Sequence, residues 1–380
     1  MQPVRASRFS VKVRAMFTGP VDRIDLSSVR RILVVKLRHH GDVLLASPVF
    51  SVLKAHAPHV EIDALVYADT RDMLTLHPAI TEVLCIDRQW KTQGTSQRLS
   101  AEWSLFSRLK SGRYDLLIHL TEHPRGAWLA RALGCRYAVA PDYRDKPTFW
   151  RKSFTHRYSL PLNPRRHTVE SNLDALRRIG VQPAIEERRV QLVSGGSADS
   201  EIREILATNG LAEKSFIHIH PTSRWQFKCW PAELTGQLID ILAGRGERIV
   251  LTAAPSEAER DMVQSILRHS RHAVIDLTGK LSLKSLAALS ARAKLFIGVD
   301  SAPMHIAAAM DTPVVALFGP SGETQWGPWQ VMHRIVSSDQ HPCRPCGNDG
   351  CGGGKISDCL VQLPLARVMQ AVDELLALRS

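Results

Sequence analysis

The sequence predicts an α/β protein of two doubly wound domains that face each other across a cleft. Apolar runs of strand length alternate with segments of helical apolar spacing, and this alternation starts twice along the chain. Residues 194–197 read SGGS, which is typical of a linker, and divide the two runs. The 380 residues are enough for two domains of ordinary size.

The clearest unit of the pattern is the stretch 295–320. It predicts a strand at 295–298, a helix at 302–310 and a parallel strand at 314–318. The start of such a helix attracts a phosphate or pyrophosphate, because its backbone N–H groups and its dipole point there. Asp300 would repel that anion and is better suited to sugar hydroxyls. Asp300 or Ser301 can N-cap this helix, and a purely structural explanation is that Asp300 only caps it.

In the first half, the pattern begins with a strand, a turn at 38–42 containing Gly41, and a helix. Strands are predicted at 31–37, 61–67, 83–86, 114–120 and 135–139, and helices at 43–57, 70–76, 100–111, 125–132 and 167–179. Residues 141–166, rich in Arg, Lys, Pro and aromatic residues, are predicted to form a long loop near the cleft.

In the second half, further strands are predicted at 216–219, 248–252 and 274–276, and helices at 231–243, 282–291 and 364–378. The predicted organisation is a loose basic arm at 1–29, a first domain at 30–193, the linker, a second domain at 198–360 and a C-terminal segment at 361–380. The last helix can cross back to the first domain.

The composition narrows the function classes. The formal net charge of +12 suits an anionic partner such as nucleic acid, an acidic membrane or a phosphorylated glycan. Nucleic acid is not favoured, because no RNP motif, zinc-finger spacing or basic zipper occurs. No apolar run approaches a membrane span of roughly 20 residues, and the N-terminus lacks the apolar centre of a signal peptide. We therefore expect a cytoplasmic protein.

Four of the seven cysteines are clustered as Cys343, Cys346, Cys351 and Cys359. This spacing is compatible with a structural zinc site, with disulfides or with free thiols. No histidine lies at a fixed offset from these cysteines, so their spacing does not suggest a catalytic metal site.

Candidate polar groups follow the predicted strands, at the edge where open parallel sheets bind ligands. They are Asp42 after the first strand; Thr222, Ser223, Arg224 and Lys228 after strand 216–219; Glu257 after strand 248–252; and Asp300, Ser301 and His305 after strand 295–298. Each alone can be explained as a cap, a solvated charge or a core residue. Their shared position favours one ligand site.

Four segments carry a family resemblance. They are KLRHHGDVLLASPV (36–49), HPTSRWQFKCWP (220–231), GVDSAPMHIAAA (298–309) and LFGPS (317–321). The chain resembles the glycosyltransferase family 9 heptosyltransferases, and RHHGD is most similar to the heptosyltransferase III branch. The resemblance implies the GT-B fold and inverting transfer of heptose from ADP-heptose, with no obligatory cofactor. It also implies an acceptor in the inner core of lipopolysaccharide, at the inner face of the cytoplasmic membrane.

The resemblance also implies residue roles. Asp42 is the expected general base, with His39, His40 and Gly41 on the acceptor side. The remaining roles concern the donor: Thr222, Ser223 and Lys228 for the phosphates, Glu257 for the ribose, Asp300 for the heptose, and Ser301, Ala302 and His305 beside the pyrophosphate. Independently of the family, Arg224 and Lys228 can meet the charge of a departing diphosphate.

Three alternatives remain at this point. The chain can be a transferase of the heptosyltransferase I or II type. It can be a non-catalytic protein that binds a nucleotide or an anionic glycan, which would not need Asp42. It can be an NAD-dependent enzyme, although G-x-G-x-x-G is absent.

Overall fold

The computed structural model describes residues 20–92, 94–143, 145–160 and 166–378. These residues form two six-stranded sheets, one in each half of the chain, and helices connect the strands of each sheet. Every strand pair in both sheets is parallel. The predicted fold class, two doubly wound α/β domains in the GT-B arrangement, is confirmed.

The first sheet has the order β3-β2-β1-β4-β5-β6. Its strands are Arg31–Val35 (β1), Glu61–Tyr67 (β2), Glu82–Ile86 (β3), Leu116–His119 (β4), Tyr137–Pro141 (β5) and His156–Tyr158 (β6). The helices of this half are His40–Leu44 (α1), Ser47–His56 (α2), Thr95–Ser111 (α3), Arg125–Leu133 (α4), Thr148–Arg151 (α5) and Thr168–Arg178 (α6). Short 3-10 helices occupy Leu26–Ser28, Ala68–Met73, Arg88–Thr92 and Glu186–Arg188.

The second sheet has the order β12-β11-β10-β7-β8-β9. Its strands are Phe216–His220 (β7), Arg248–Leu251 (β8), Ile275–Asp276 (β9), Leu295–Val299 (β10), Val314–Phe318 (β11) and His333–Ser337 (β12). The helices are Gly196–Thr208 (α7), Ala232–Gly244 (α8), Glu257–His269 (α9), Leu283–Arg292 (α10), Ala302–Ala309 (α11), Glu323–Trp326 (α12), Asp358–Val361 (α13) and Leu365–Ala377 (α14). Gln226–Lys228 and Cys351–Gly353 are 3-10 helices.

Several local predictions were wrong. The turn at 38–42 is already helical from His40, and the predicted helix 43–57 is split into α1 and α2. The predicted helix 70–76 is replaced by the 3-10 helix Ala68–Met73 and a turn, and 141–166 contains α5 and β6 rather than only a loop. The predicted linker 194–197 is shortened, because α7 begins at Gly196. α7 and β12 were not predicted.

The predicted loose arm at 1–29 is wrong for its described part. Ile24 and Val29 are buried in the first core, and the Asp22 carboxylate accepts two hydrogen bonds from Arg178, at 2.9 and 2.6 Å. Ile24 N–H also donates to the Ile179 carbonyl at 3.1 Å. Residues 20–29 therefore belong to the first domain, and 1–19 lie outside the described residues.

The C-terminal helix does not cross back to the first domain. Val368, Val372 and Leu375 of α14 are buried in the core of the second domain, together with residues of β7, β8, β10 and β11. The apolar face of α14 therefore packs on the second sheet, within its own domain.

The two domains share part of one core. Leu286, Ala287 and Ile306 of the second domain are buried in the cluster formed by α2, α6 and β1 of the first. At the rim of this contact, the Lys284 ammonium donates to the Thr75 and Val193 carbonyls at 2.8 and 2.5 Å. The domains therefore meet through packed apolar side chains and specific hydrogen bonds.

In the part of the chain that the structure describes, no helix is both long enough and apolar enough to cross a membrane.

Candidate active site

The loop after β1 is held by a buried lysine. The Lys36 ammonium donates to the Leu120 carbonyl at 3.2 Å and to Asn172 Oδ1 at 3.0 Å. Asn172 in turn donates to the Leu45 carbonyl at 3.0 Å, which fixes the end of α1. Burial lowers the pKa of Lys36, and the nearby Asp42 carboxylate opposes that shift. Asp42 is half-buried in the first turn of α1.

Helix α1 lies directly against α11 of the other domain. A Cβ atom at Gly41 would lie 3.0 Å from His305 Cδ2 and 4.0 Å from the Ala302 Cα. The absence of a side chain at Gly41 thus permits this close approach. As a result, the helix that carries Asp42 touches the helix that begins after Asp300.

The start of α11 is not capped by a side chain. Ser301 occupies the N-cap position, and its hydroxyl donates to the Val299 carbonyl at 3.3 Å. Asp300 is 6% exposed and accepts a hydrogen bond from the Lys228 ammonium at 2.6 Å. Asp300 therefore does not act as the helix cap, and the capping explanation of this residue was wrong. Pro303 has no N–H, and the Met304 N–H donates to the Ser301 carbonyl at 3.1 Å. The N–H groups of Ser301 and Ala302 are therefore the ones that the start of α11 offers to an anion.

Four predicted donor residues follow β7. Thr222 is fully buried, and its hydroxyl donates to Glu259 Oε2 at 2.7 Å. The hydroxyl of Ser223 accepts from the Trp225 backbone at 3.2 Å. Arg224 is exposed and lies over the Trp225 ring, 5.3 Å from its centroid. Of this group, Arg224 and Lys228 bring positive charge to the site.

The acidic residue after β8 has a neighbour that the sequence reasoning missed. Glu257 is exposed in the first turn of α9. Glu259 is 4% exposed and accepts hydrogen bonds from Thr222 and from the Ala254 N–H, at 2.7 and 3.1 Å. Glu259 thus braces the loops after β7 and β8. The inward direction of Glu259 depends on how α9 packs, which the spacing alone does not give.

Two histidines precede Asp42. His40 Nε2 lies 2.8 Å from the Asp69 carbonyl, so the ring is tied to the neighbouring 3-10 helix. His39 is exposed at the N-cap of α1. Partial burial, followed by the charge of Arg88, lowers the pKa of His39.

His305 lies at the contact between the domains. It is 4% exposed and packs between Gly41 and the ring of Trp326, whose centroid is 6.5 Å away. Its Nδ1 atom is buried and has no hydrogen-bond partner among the described residues. Burial lowers the pKa of His305 to about 4, so the ring is neutral at pH 7.

A cavity of about 450 Å³ opens beside Lys228. Its walls come from 225–228, 320–326 and the cysteine-rich loop at 345–349. Cys343, Cys346 and Cys351 are exposed free thiols and Cys359 is a buried one. The described residues hold no group of three or more His, Cys, Asp or Glu placed to bind a metal ion.

The family described as "Glycosyltransferase family 9 (heptosyltransferase)" matches residues 102–356, more than half of the chain. Lipopolysaccharide heptosyltransferase 3 of Escherichia coli is 37% identical over 345 residues, which cover 90% of this chain and 97% of that protein. The chain belongs to glycosyltransferase family 9.

Solved structures share the architecture of this family 9 chain. A family 9 glycosyl transferase from Veillonella parvula superposes with a TM-score of 0.78 at 24% identity, over 92% of this chain and 98% of that one. The E. coli heptosyltransferase WaaC with ADP gives a TM-score of 0.69 at 20% identity, over 91% and 99% of the two chains. At these identities the superpositions show a shared fold and nothing more specific.

Proposed function

We propose that this chain is an inverting heptosyltransferase of the heptosyltransferase III type, which transfers heptose from ADP-heptose to the inner core of lipopolysaccharide. The observation that carries the proposal is the contact of Gly41 with Ala302 and His305. It puts a carboxylate, Asp42, on a helix that meets the uncapped start of α11. A general base and an anion site at one interdomain cleft are what glycosyl transfer from a nucleotide sugar requires.

The donor half of the reaction needs positive charge. As the bond between heptose and diphosphate breaks, negative charge develops on the leaving ADP. Lys228, Arg224 and the N–H groups at the start of α11 are the groups that would stabilise it. In this structure, Lys228 and Asp300 form an ion pair with each other. We propose that the donor takes over this pair, with its diphosphate at Lys228 and its heptose hydroxyls at Asp300.

The remaining donor roles follow from position. We propose that Ser301, Ala302 and His305 border the pyrophosphate, and that Thr222 and Ser223 shape its loop. Because the Thr222 hydroxyl is bound to Glu259, Thr222 would act mainly through its backbone. Glu257, exposed at the start of α9, stays the proposed ribose ligand.

The acceptor half of the reaction needs a base. We propose that Asp42 accepts the proton of the acceptor hydroxyl while that oxygen bonds to the anomeric carbon on the face opposite the leaving diphosphate. A single displacement of this kind inverts the configuration. His39, His40 and Gly41 would border the acceptor, which we place at the inner face of the cytoplasmic membrane.

The test is Asp42→Asn, which is nearly isosteric and cannot accept the proton. Purified protein is incubated with ADP-heptose and defined truncated cores, and the product is measured by mass spectrometry. We expect kcat to fall roughly 10²–10⁴-fold, the usual effect of removing a general base, while ADP still raises the melting temperature. His39→Ala and His40→Ala are the matched controls and should lose less.

Near-wild-type transfer by Asp42→Asn, or a larger loss in either histidine variant, would refute the role of Asp42. If the wild-type protein binds ADP but modifies no core, the non-catalytic alternative is correct.

A further inference from the structure

One helix of the first domain carries an apolar stripe that faces solvent. Of the 17 residues of α3, only Leu109 is buried. Leu99, Trp103 and Phe106 recur at helical spacing and therefore share one side of α3. Leu99 and Trp103 are 64% and 69% exposed. A stripe of this kind usually packs on a core, so its exposure needs another explanation.

The stripe continues onto the two following helices. Trp128 of α4 is 63% exposed, and its ring centroid lies 4.7 Å from that of Phe149 on α5. Phe106 and Trp128 line one cavity of about 400 Å³ between α3 and α4. We call the surface formed by Leu99, Trp103, Phe106, Trp128 and Phe149 the aromatic face.

The surroundings of the aromatic face are basic. Residues 95–152 contain eleven Lys and Arg against five Asp and Glu, a net charge of +6 and half of the +12 of the whole chain. Glu102 pairs with Arg125 at 2.6 and 2.7 Å, which cancels one acid and one base and leaves the net charge at +6. An anionic partner therefore complements this surface.

A second cavity adjoins the same face. It measures about 730 Å³, and Trp103, Phe106, Lys110, Arg113, Asp115 and Arg136 are among its lining residues. The Asp115 carboxylate accepts hydrogen bonds from the backbone N–H groups of Arg30 and Arg31, at 2.7 and 3.1 Å. Aromatic rings beside a basic cavity offer apolar insertion and phosphate contacts together.

The aromatic face runs from one edge of the first sheet towards the other. α3, α4 and α5 follow β3, β4 and β5, so their first turns lie towards the sheet edge where Asp42 follows β1. Trp103 and Phe106 also line the second cavity, where Asp115 and Arg136 precede β4 and β5 at the opposite edge. A bilayer on this face would therefore lie beside the domain that carries Asp42.

We propose that the aromatic face docks the protein on an anionic phospholipid bilayer. The proposal rests on the proposed function in one respect, because a lipopolysaccharide acceptor is a glycolipid held in a bilayer. Trp and Phe rings partition into the membrane interface, and surrounding Arg and Lys side chains attract anionic headgroups. The face presents both groups on one side of the domain that carries Asp42.

The experiment compares vesicles of phosphatidylcholine alone with vesicles that also contain phosphatidylglycerol. Co-sedimentation is measured for the wild type and for the double variant Trp103→Gln/Trp128→Gln. We expect the wild type to prefer the anionic vesicles and the double variant to bind them at least about tenfold more weakly. Ile185→Gln is the matched control, because Ile185 is 65% exposed but lies outside the aromatic face.

Three results would overturn docking: equal binding by the double variant, an equal loss in Ile185→Gln, or no binding of the wild type to anionic vesicles. Self-association of the wild type that the double variant abolishes, seen by sedimentation velocity, would assign the face to a second copy of this chain instead.

A water-soluble, deacylated core separates this proposal from the proposed function. Wild type and double variant should transfer heptose to it at equal rates. Absence of transfer by a protein that still binds anionic vesicles would overturn the proposed function and leave docking intact.

Discussion

Gly41→Ala tests the contact between the two domains. The added Cβ atom would lie 3.0 Å from His305 Cδ2, about 0.4 Å short of ordinary contact. His305 is buried and cannot move aside freely, so α1 and α11 must separate by several tenths of an ångström. Because a misplacement of about 1 Å can cost 10²-fold in rate, we expect kcat to fall roughly threefold to tenfold.

Stability should respond differently from activity. Gly41 lies inside α1, where alanine is favoured over glycine by roughly 0.5–1 kcal/mol. This gain opposes the steric cost, so the melting temperature should change little while kcat falls. Heptose transfer is assayed by mass spectrometry and the melting temperature by circular dichroism.

Two further variants make the Gly41→Ala test specific. Gly94→Ala is the control, because a Cβ atom at that glycine meets nothing within 4 Å. In a His305→Ala background the ring is gone, so adding Gly41→Ala should cost less than it does in the wild type. An unchanged kcat in Gly41→Ala, or an equal cost in both backgrounds, would refute the reasoning.

The remaining predictions concern charge. Lys228→Met should weaken ADP binding roughly tenfold or more, measured by calorimetry, since it removes a charge-assisted contact; unchanged affinity would exclude Lys228 from the donor site. Burial lowers the pKa of Lys284 from 10.5 to about 8. Between these two pH values the unfolded chain binds more protons than the folded one, so the free energy of unfolding should rise from pH 8 to 10.5. Urea titration of Lys284→Met should show a smaller rise, and an identical profile would contradict this. Burial lowers the pKa of His167 and His305 to about 4, so stability should fall from pH 6.5 towards 4, and less steeply in His305→Gln; an equally steep fall would count against His305.

The central strands could be predicted from sequence because they are buried on both faces. All five residues of β10 and of β11 are buried, and such strands form continuous apolar runs. β12 lies at the edge of its sheet and is only partly buried, so its sequence HRIVS carries no comparable signal. α7 was missed because its first residues belong to the glycine-rich stretch that also resembles a linker.

The candidate site could be predicted only in part. Asp300 comes directly after β10, and Asp42 lies in the first turn of the helix that follows β1, so chain order alone places both at the edge of a parallel sheet. The pairing of Lys228 with Asp300 joins residues 72 positions apart. It depends on the packing of two loops, which no local pattern encodes. The inward direction of Glu259 has the same origin.

The shared core limits how this chain can be recombined. A chimera joined at Ser194 would replace Leu286 and Ile306, which pack in the core of the retained half. It would also divide two hydrogen-bonded pairs between the halves, His167 with the Gly327 carbonyl at 2.9 Å and the Trp329 indole with the Arg188 carbonyl at 2.8 Å. Exchange of donor specificity between relatives therefore requires co-transfer of the matching surface of the acceptor half, and the linker is a poor crossover point.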